Sequence, residues 1–356
     1  MGLKYTKLKA FHYKEKIDSL PRENSEILPP VHVRIKPTNV CAHSCWYCAY
    51  KADDLQLGQD MVTRDSIPLE KMLEIIDDLD EMGVRAVTFS GGGDPFHYKH
   101  LLQAAKALAA SRMSFASLTN GARLTGEVAE VFSEYATWLR VSIDGWDAQS
   151  YARYRGVKQT EFARVIGNME TFQKLGGRCV LGVSYIIDKN NAPHIYDFTK
   201  RMRDIGVASV KMSPCITSND GAESNRYHEE FYSAAKAEIQ KAKEDFEDEN
   251  FEVNDAYHYL ENKFEKDYSW CPYLQMLMVI GADLNVYACQ DKAYNLDNGC
   301  LGSIKQQRFK DFWYENKERF FAINPSVDCN NHCVANPKNR LLLDYLEADR
   351  DNLGFV

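Results

Sequence analysis

The chain has 356 residues, 45% hydrophobic and 26% charged, the composition of an ordinary globular protein with room for one large domain or two moderate ones. A formal net charge of −8 and a pI of about 5.7 argue against general nucleic-acid binding, which needs a basic face. The amino terminus has no apolar signal core and no apolar run is long enough to span a bilayer, so the chain reads as cytoplasmic with no membrane partner, and its ten cysteines read as metal ligands more readily than as disulfides.

Residues 1–30 are polar, end in Pro29-Pro30 and are expected to form an N-terminal extension packed on the main α/β domain. Val31-His32-Val33-Arg34-Ile35 alternates as a strand should. Pro37 ends it, and Cys41-Ala42-His43-Ser44-Cys45-Trp46-Tyr47-Cys48 comes at once. Three cysteines so spaced can turn three thiolates toward one centre. That number suits an iron–sulfur cube with one iron open, and suits structural zinc less well, because zinc is normally closed by four protein ligands.

Asp65-Ser66-Ile67-Pro68 looks like a helix start, with a capping side chain and an early proline. Leu69, Met72, Leu73, Ile76 and Leu79 recur after it at helical spacing, closed by Gly83. Ala86 to Ser90 reads as the second strand and delivers Gly91-Gly92-Gly93-Asp94-Pro95. Further strands are expected at 115–121, 139–145, 180–187 and 208–214, separated by helices at 99–111, 126–136, 161–175 and 194–205. Six alternating units argue for a parallel α/β winding, open or curled into a partial barrel, over 31–227.

Residues 228–266 are acidic and Lys/Ala-rich and read as a helical linker, with Glu244–Glu249 a solvated face. Residues 267–356 read as a small α+β domain. Cys271 precedes an apolar run from Leu274 to Ile280, Gly281–Asn285 looks like a hairpin turn, and Val286–Cys289 is the return strand. Cys300-Leu301-Gly302-Ser303-Ile304, an aromatic helix around Phe309 and Phe320, and Cys329-Asn330-Asn331-His332-Cys333 complete it. Two close cysteines plus two distant ones make a candidate four-ligand metal site, for which structural zinc is the simple alternative.

The cysteine loop, with an aromatic residue before its last cysteine, resembles that of the radical S-adenosylmethionine (SAM) superfamily, and the resemblance covers about residues 31–215. It implies a partial (β/α)6 TIM-like barrel, SAM as co-substrate, and a [4Fe-4S] cluster on Cys41, Cys45 and Cys48 whose fourth iron is chelated by SAM. By the same resemblance Gly91, Gly92, Gly93 and Asp94 hold the methionine end of SAM, although the commoner form of that turn ends in Glu-Pro. Ser142 and Asp144 are implied to meet the ribose, Tyr47 to lie beside the adenine, and Arg155 to belong to the Arg-Gly pair of one subgroup. That subgroup carries a SPASM or twitch extension with auxiliary clusters. Five cysteines here fit one auxiliary [4Fe-4S] cluster, assigned to Cys271, Cys289, Cys329 and Cys333, with Cys300 and then His332 as competitors.

The implied activity is hydrogen-atom abstraction from a small polar substrate of the sugar or aminocyclitol kind, followed by oxidation or epimerisation, with flavodoxin or ferredoxin as electron donor. A peptide-modifying enzyme is the second reading and a zinc-stabilised binding protein a remote third. Cys215, after the sixth strand, is a candidate hydrogen-atom donor beside the alternative of an inert packed thiol. Asp291 is a candidate base, displaced by one residue because Gln290 stands directly after Cys289. Cys179 reads as a structural thiol, and Lys211 as either pocket-lining or exposed.

Overall fold

The computed structural model describes residues 6–20, 27–52, 55, 57–258 and 265–354. Strands β1 (His32–Ile35), β2 (Ala86–Phe89), β3 (Ser114–Thr119), β4 (Trp138–Ser142), β5 (Val180–Ile187) and β6 (Ser209–Pro214) pair in parallel in that order. Helices stand between them and ahead of β1. They are α1 (Lys14–Asp18), α2 (Leu69–Met82), α3 (Leu101–Ala110), α4 (Gly126–Tyr135), α5 (Ala148–Arg155), α6 (Thr160–Lys174) and α7 (Ile195–Ile205). This is the expected α/β partial barrel, and each expected strand and helix lies within a few residues of its place.

Burial alternates along the strands. Val33 and Ile35, Leu139 and Val141, and Val210 and Met212 are at most 1% exposed and pack in the core with the helices. His32 and Arg34, Trp138 and Arg140, and Lys211 are only half-buried. Period two therefore puts the aliphatic set under the helices and the polar set in the barrel lumen.

Three expectations are corrected. Asp65 and Ser66 do not cap α2, whose first turn has no side-chain cap. Ser66 bridges to Thr38, and the Asp65 carbonyl accepts from the Asn39 amide at 2.9 Å, so this segment clamps the entry to the cysteine loop. On α2 itself Leu73 is 38% exposed while Ile75 is fully buried, because a 3.6-residue period drifts past a strict i+4 step. Residues 228–266 are not merely linker. After α8 (Gly221–Glu229), α9 (Tyr232–Phe246) buries Ala235, Ile239, Ala242 and Phe246, and β7 (Glu252–Asp255) adds to β6 in parallel. A four-residue strand next to a charged helix carries too little periodicity to be legible in sequence.

The C-terminal segment joins the same sheet. β8 (Leu277–Ile280) lies parallel to β1, and β9 (Asn285–Tyr287) and β10 (Cys300–Ser303) add to it antiparallel. The order is β10-β9-β8-β1-β2-β3-β4-β5-β6-β7, so the array is open between β7 and the far edge. The expected hairpin is present, and β10 adds a third strand to it. α10 (Phe309–Glu315) contributes Phe309, Phe312 and Trp313 to the core. α11 (Pro325–Asp328) and α12 (Asn336–Glu347) end the described elements apart from a final 3-10 turn.

The N-terminal extension packs chiefly on this C-terminal part, with Ile17 and Leu20 of its α1 region against Trp270, Leu342 and Leu343. No helix among the described residues is long and apolar enough to cross a membrane.

Lys16 of α1 is buried, donates to the Leu28 carbonyl and lies 5.5 Å from the Trp313 ring centre. Burial pushes its ammonium down to about 7. The unfolded chain then binds more protons between that pH and the ordinary lysine value, so stability rises with pH across that window. Denaturation at a series of pH values is expected to show this slope in the wild type and to lose much of it in Lys16→Met.

Candidate active site

The cysteine loop has no regular structure of its own and is held by its neighbours. The Gly93 amide donates to the Thr38 carbonyl at 3.1 Å and the Asp94 amide to the Val40 carbonyl at 3.0 Å. From the other side the Ser44 amide donates to the Arg155 carbonyl at 2.8 Å and the Trp46 amide to the Tyr154 carbonyl at 3.4 Å. Gly156 makes that second clamp possible. It has φ +60°, and a Cβ there would stand 2.9 Å from the Ser44 carbonyl oxygen.

The glycines after β2 are required by the same contact. A Cβ on Gly92 would lie 2.0 Å from Asn39 Oδ1, and one on Gly93 would lie 2.2 Å from the Val40 carbonyl oxygen. The turn is thus bare because the entry to the cysteine loop packs directly on its backbone. The carboxylate of Asp94 is buried and accepts from the Phe96 amide at 2.8 Å, the Asn120 amide at 2.5 Å and the Thr119 hydroxyl at 3.1 Å, which ties this turn to the loop after β3.

A cavity of about 400 Å³ opens at the C-terminal ends of the strands. All three loop cysteines, Tyr47, Gly91 to Asp94, Ser142, Arg155 and Cys215 line it, so the positions singled out from β1, β2, β4 and β6 converge. Asp144 is the exception. It is fully buried, binds the Tyr47 hydroxyl and the Arg155 guanidinium, and accepts from the Ile186 amide at 2.7 Å. It acts as a brace for Tyr47 and Arg155, and does not line the cavity.

Two N–H donors reach the loop sulfurs, Asn120 Nδ2 at 3.8 Å from Cys41 Sγ and Arg155 Nη1 at 3.5 Å from Cys45 Sγ. Burial pushes the Cys41 thiol up to about 11 and raises that of Cys48, so these sulfurs become thiolates only against a strong positive centre. Three cysteines with donors aimed at two sulfurs fit an iron–sulfur cluster, whose sulfurs such hydrogen bonds tune. His43 is buried in the loop with Nε2 3.4 Å from Glu161 Oε1 and lines the cavity without joining the cysteines.

Cys215 is 1% exposed, and burial pushes its thiol up to about 12. At neutral pH it therefore carries its hydrogen. Its carbonyl oxygen is hydrogen-bonded by His228 Nε2 at 2.9 Å.

Sequence reasoning misses Lys36, Gln290 and Tyr50. Lys36, buried at the end of β1, donates to the Gly91 carbonyl at 2.8 Å, to Gln290 Oε1 at 3.2 Å and to the Tyr50 hydroxyl. Arg34 Nη1 donates to the same Gln290 oxygen at 3.2 Å. The signal for this cluster is present in the chain, since polar His32, Arg34 and Lys36 alternate along a strand central to the sheet.

A second, smaller chamber of about 80 Å³ is lined by Cys271, Cys289, Cys329 and Cys333. Cys300 is absent from it, since its Sγ turns to the Gly302 carbonyl and the residue packs against the cluster of Val279, Tyr287, Ala293 and Tyr294. Asn339 Nδ2 donates to Cys271 Sγ at 3.2 Å. Asp291 lines this chamber and accepts from the Val334 amide at 3.1 Å, whereas Gln290 reaches both chambers. Among the described residues no three cysteine sulfurs lie within 4.8 Å of one another. Thiolates on one tetrahedral zinc would sit about 3.8 Å apart, so both sets are spread more widely than a single zinc requires.

Residues 35–202 match the family model of the radical SAM superfamily. The match covers a little under half of the chain, and this part is similar to that superfamily. Over 141 residues, 39% of this chain and 27% of the relative, the chain is 26% identical to an S-adenosylmethionine-dependent nucleotide dehydratase of Lacinutrix mariniflava; the match thus spans little more than a quarter of that protein. Among solved structures, Streptococcus suis SuiB bound to precursor peptide SuiA superposes with a TM-score of 0.61 at 15% identity, over 91% of this chain and 75% of that one. In the SAM-bound form of SuiB the covered share is 64%. anSMEcpe with bound AdoMet gives a TM-score of 0.61 at 16% identity, over 89% and 93% of the two chains. These two likenesses show a shared fold.

Gly93→Ala is expected to lose the brown cluster absorbance after anaerobic reconstitution while far-ultraviolet circular dichroism is kept, because the clash falls on residues 39–40 alone. Gly167→Ala on α6, where a new Cβ meets nothing within 4 Å, is expected to keep the cluster and to gain about 0.5–1 kcal/mol in denaturant unfolding.

Proposed function

We propose that the chain is a radical SAM enzyme that abstracts a hydrogen atom from a substrate bound in the large cavity and returns a hydrogen atom from Cys215. One observation carries the reading: the buried thiol of Cys215, directly after β6, and the three-cysteine loop after β1 line the same cavity. When bound, the cluster on Cys41, Cys45 and Cys48 together with SAM supplies a 5′-deoxyadenosyl radical. Ser142, Tyr47 and the 91–94 turn, which line the cavity, would hold SAM, and the Asp144–Arg155 pair braces that wall. Return of hydrogen from the opposite face would leave an epimer of the substrate and a thiyl radical on Cys215, which one electron from the external donor and a solvent proton would restore to the thiol.

Oxidation is the second reading, favoured by the small chamber. A [4Fe-4S] cluster on Cys271, Cys289, Cys329 and Cys333, in a twitch-like segment, would accept the electron, and Arg34 and Gln290 span the wall between the chambers. In that case a base facing the large cavity is required, and Asp291 faces the small one. The substrate is taken as a small molecule. SuiB and anSMEcpe have been captured with peptides, so co-purification of a peptide would move the reading toward peptide modification. A one-electron donor of the flavodoxin or ferredoxin type completes the reaction.

Iron and sulfide analysis tests the metal content first. About eight irons falling to about four in the Cys41/Cys45/Cys48→Ala triple variant is the expected result; zinc with no iron would refute the reading. With substrate in deuterated solvent, the wild type is expected to yield monodeuterated product. Cys215→Ala is expected to cleave SAM but lose product formation by about a hundredfold or more. An undeuterated, two-electron-oxidised product, formed equally well by that variant, would leave oxidation as the chemistry.

A further inference from the structure

The small chamber carries more positive than negative charge. Among the described residues its charged lining is Arg34, Lys266, Lys292 and Lys338 against the single carboxylate of Asp291. Arg34 donates to Gln290, and Lys338 to the Tyr273 hydroxyl at 3.0 Å. Lys266 and Lys292 instead reach the segment that carries Cys329. Lys266 donates to the Asn331 carbonyl at 3.2 Å and Lys292 to the Asp328 carbonyl at 2.6 Å. The backbone on both sides of Cys329 is thus held by ammonium groups.

Lys292 is the sharper case. It stands three residues after Cys289 and is 1% exposed, and among the described residues no carboxylate pairs with it. The Asp328 carboxylate is engaged by the Asn324 amide at 2.7 Å, and Asp291 accepts from the Val334 amide at 3.1 Å. A buried ammonium bound to one carbonyl is costly unless an anion stands nearby.

The sulfurs of the chamber can supply that anion. Burial pushes the Cys329 thiol up to about 11, and Lys292 is the strongest charge opposing that rise. Four thiolates around a four-iron, four-sulfur core carry a net negative charge, which grows by one on reduction. A cation held beside such a core favours its reduced form. Asn339, whose Nδ2 donates to Cys271 Sγ at 3.2 Å, acts in the same sense.

We propose that Lys292 is the counter-charge of a four-thiolate iron–sulfur cluster in the small chamber, and that it raises the reduction potential of that cluster so that an electron is taken up more readily. This rests on the auxiliary cluster of the oxidation reading and adds to it a residue that tunes it. Lys292 is a positioning residue, since it acts through the cluster.

The test is a redox titration followed by electron paramagnetic resonance. It uses the reconstituted full-length chain carrying Cys41/Cys45/Cys48→Ala, which leaves the small chamber as the cluster site. Lys292→Met in that background is expected to keep about four irons. Its midpoint is expected to shift downward by at least tenfold in the reduction equilibrium, about 59 mV for one electron. Lys292→Arg keeps the charge and is expected to keep the parent midpoint, and Lys174→Met, an exposed control, to leave it unmoved.

An unshifted midpoint in Lys292→Met with iron retained would overturn the proposal. Should Lys292→Met lose its iron, recovery of iron in Lys292→Arg supports the counter-charge. Loss in both variants overturns it, since packing and not charge would then be what the site requires. Absence of iron from the Cys41/Cys45/Cys48→Ala chain itself removes the auxiliary cluster and the tuning role with it. A cluster whose potential ignores Lys292 removes the tuning role alone.

Discussion

The backbone contact between residues 38–40 and the 91–94 turn is the constraint on which the site depends. A loop carrying three half-buried thiols gains nothing from its own structure, so its shape must be imposed. Here β2 lies beside β1 in parallel, and the turns leaving both strands meet edge to edge, with carbonyls of residues 38 and 40 accepting from amides 93 and 94. The contact is too close for side chains at Gly92 and Gly93, while Gly91 is kept bare by the backbone of Gly93 in the same turn. Asp94 then carries the constraint to β3 through Thr119 and Asn120, and Asn120 reaches back to a cysteine sulfur.

On the opposite side, burial of an ion pair does the corresponding work. Asp144 and Arg155 are both withdrawn from water, which is tolerable only because each is multiply hydrogen-bonded. The pair locks α5 against the end of β4, and the Arg155 carbonyl and side chain both act on the cysteine loop. A carboxylate that family likeness suggested as a ligand contact therefore sits one step back, holding two residues that line the cavity.

The lumen shows how an acidic protein can present a cationic interior. The strands place aliphatic side chains outward under the helices, which leaves the inward positions free to carry His32, Arg34, Arg140 and Lys211. The surface charge and the interior charge are set independently, so net charge speaks to solubility and to broad classes of partner, and says little about the charge inside.

Much of the fold was legible in the chain itself. Alternation in Val180–Ile187, the glycine closing α2 and the strand-loop order around Cys41 and Gly91 are local, and local patterns survive into the structure because they record which face is buried. The three loop cysteines and the Cys271/Cys289/Cys329/Cys333 set were likewise visible as residue types at a spacing. Strand β7, the exposure of Leu73 and the joining of β8 to β1 were not, since short strands pair by what lies beside them and their own residues carry little signal. The choice among Cys300 and its competitors, the retreat of Asp144 from the cavity, the turning of Asp291 toward the small chamber and the meeting of Arg34, Arg140 and Lys211 were decided only by tertiary structure. Each depends on the direction of a side chain relative to residues far away in the chain. Spacing along a sequence constrains which groups can be brought near, whereas the direction in which a group points is settled by the packing that surrounds it.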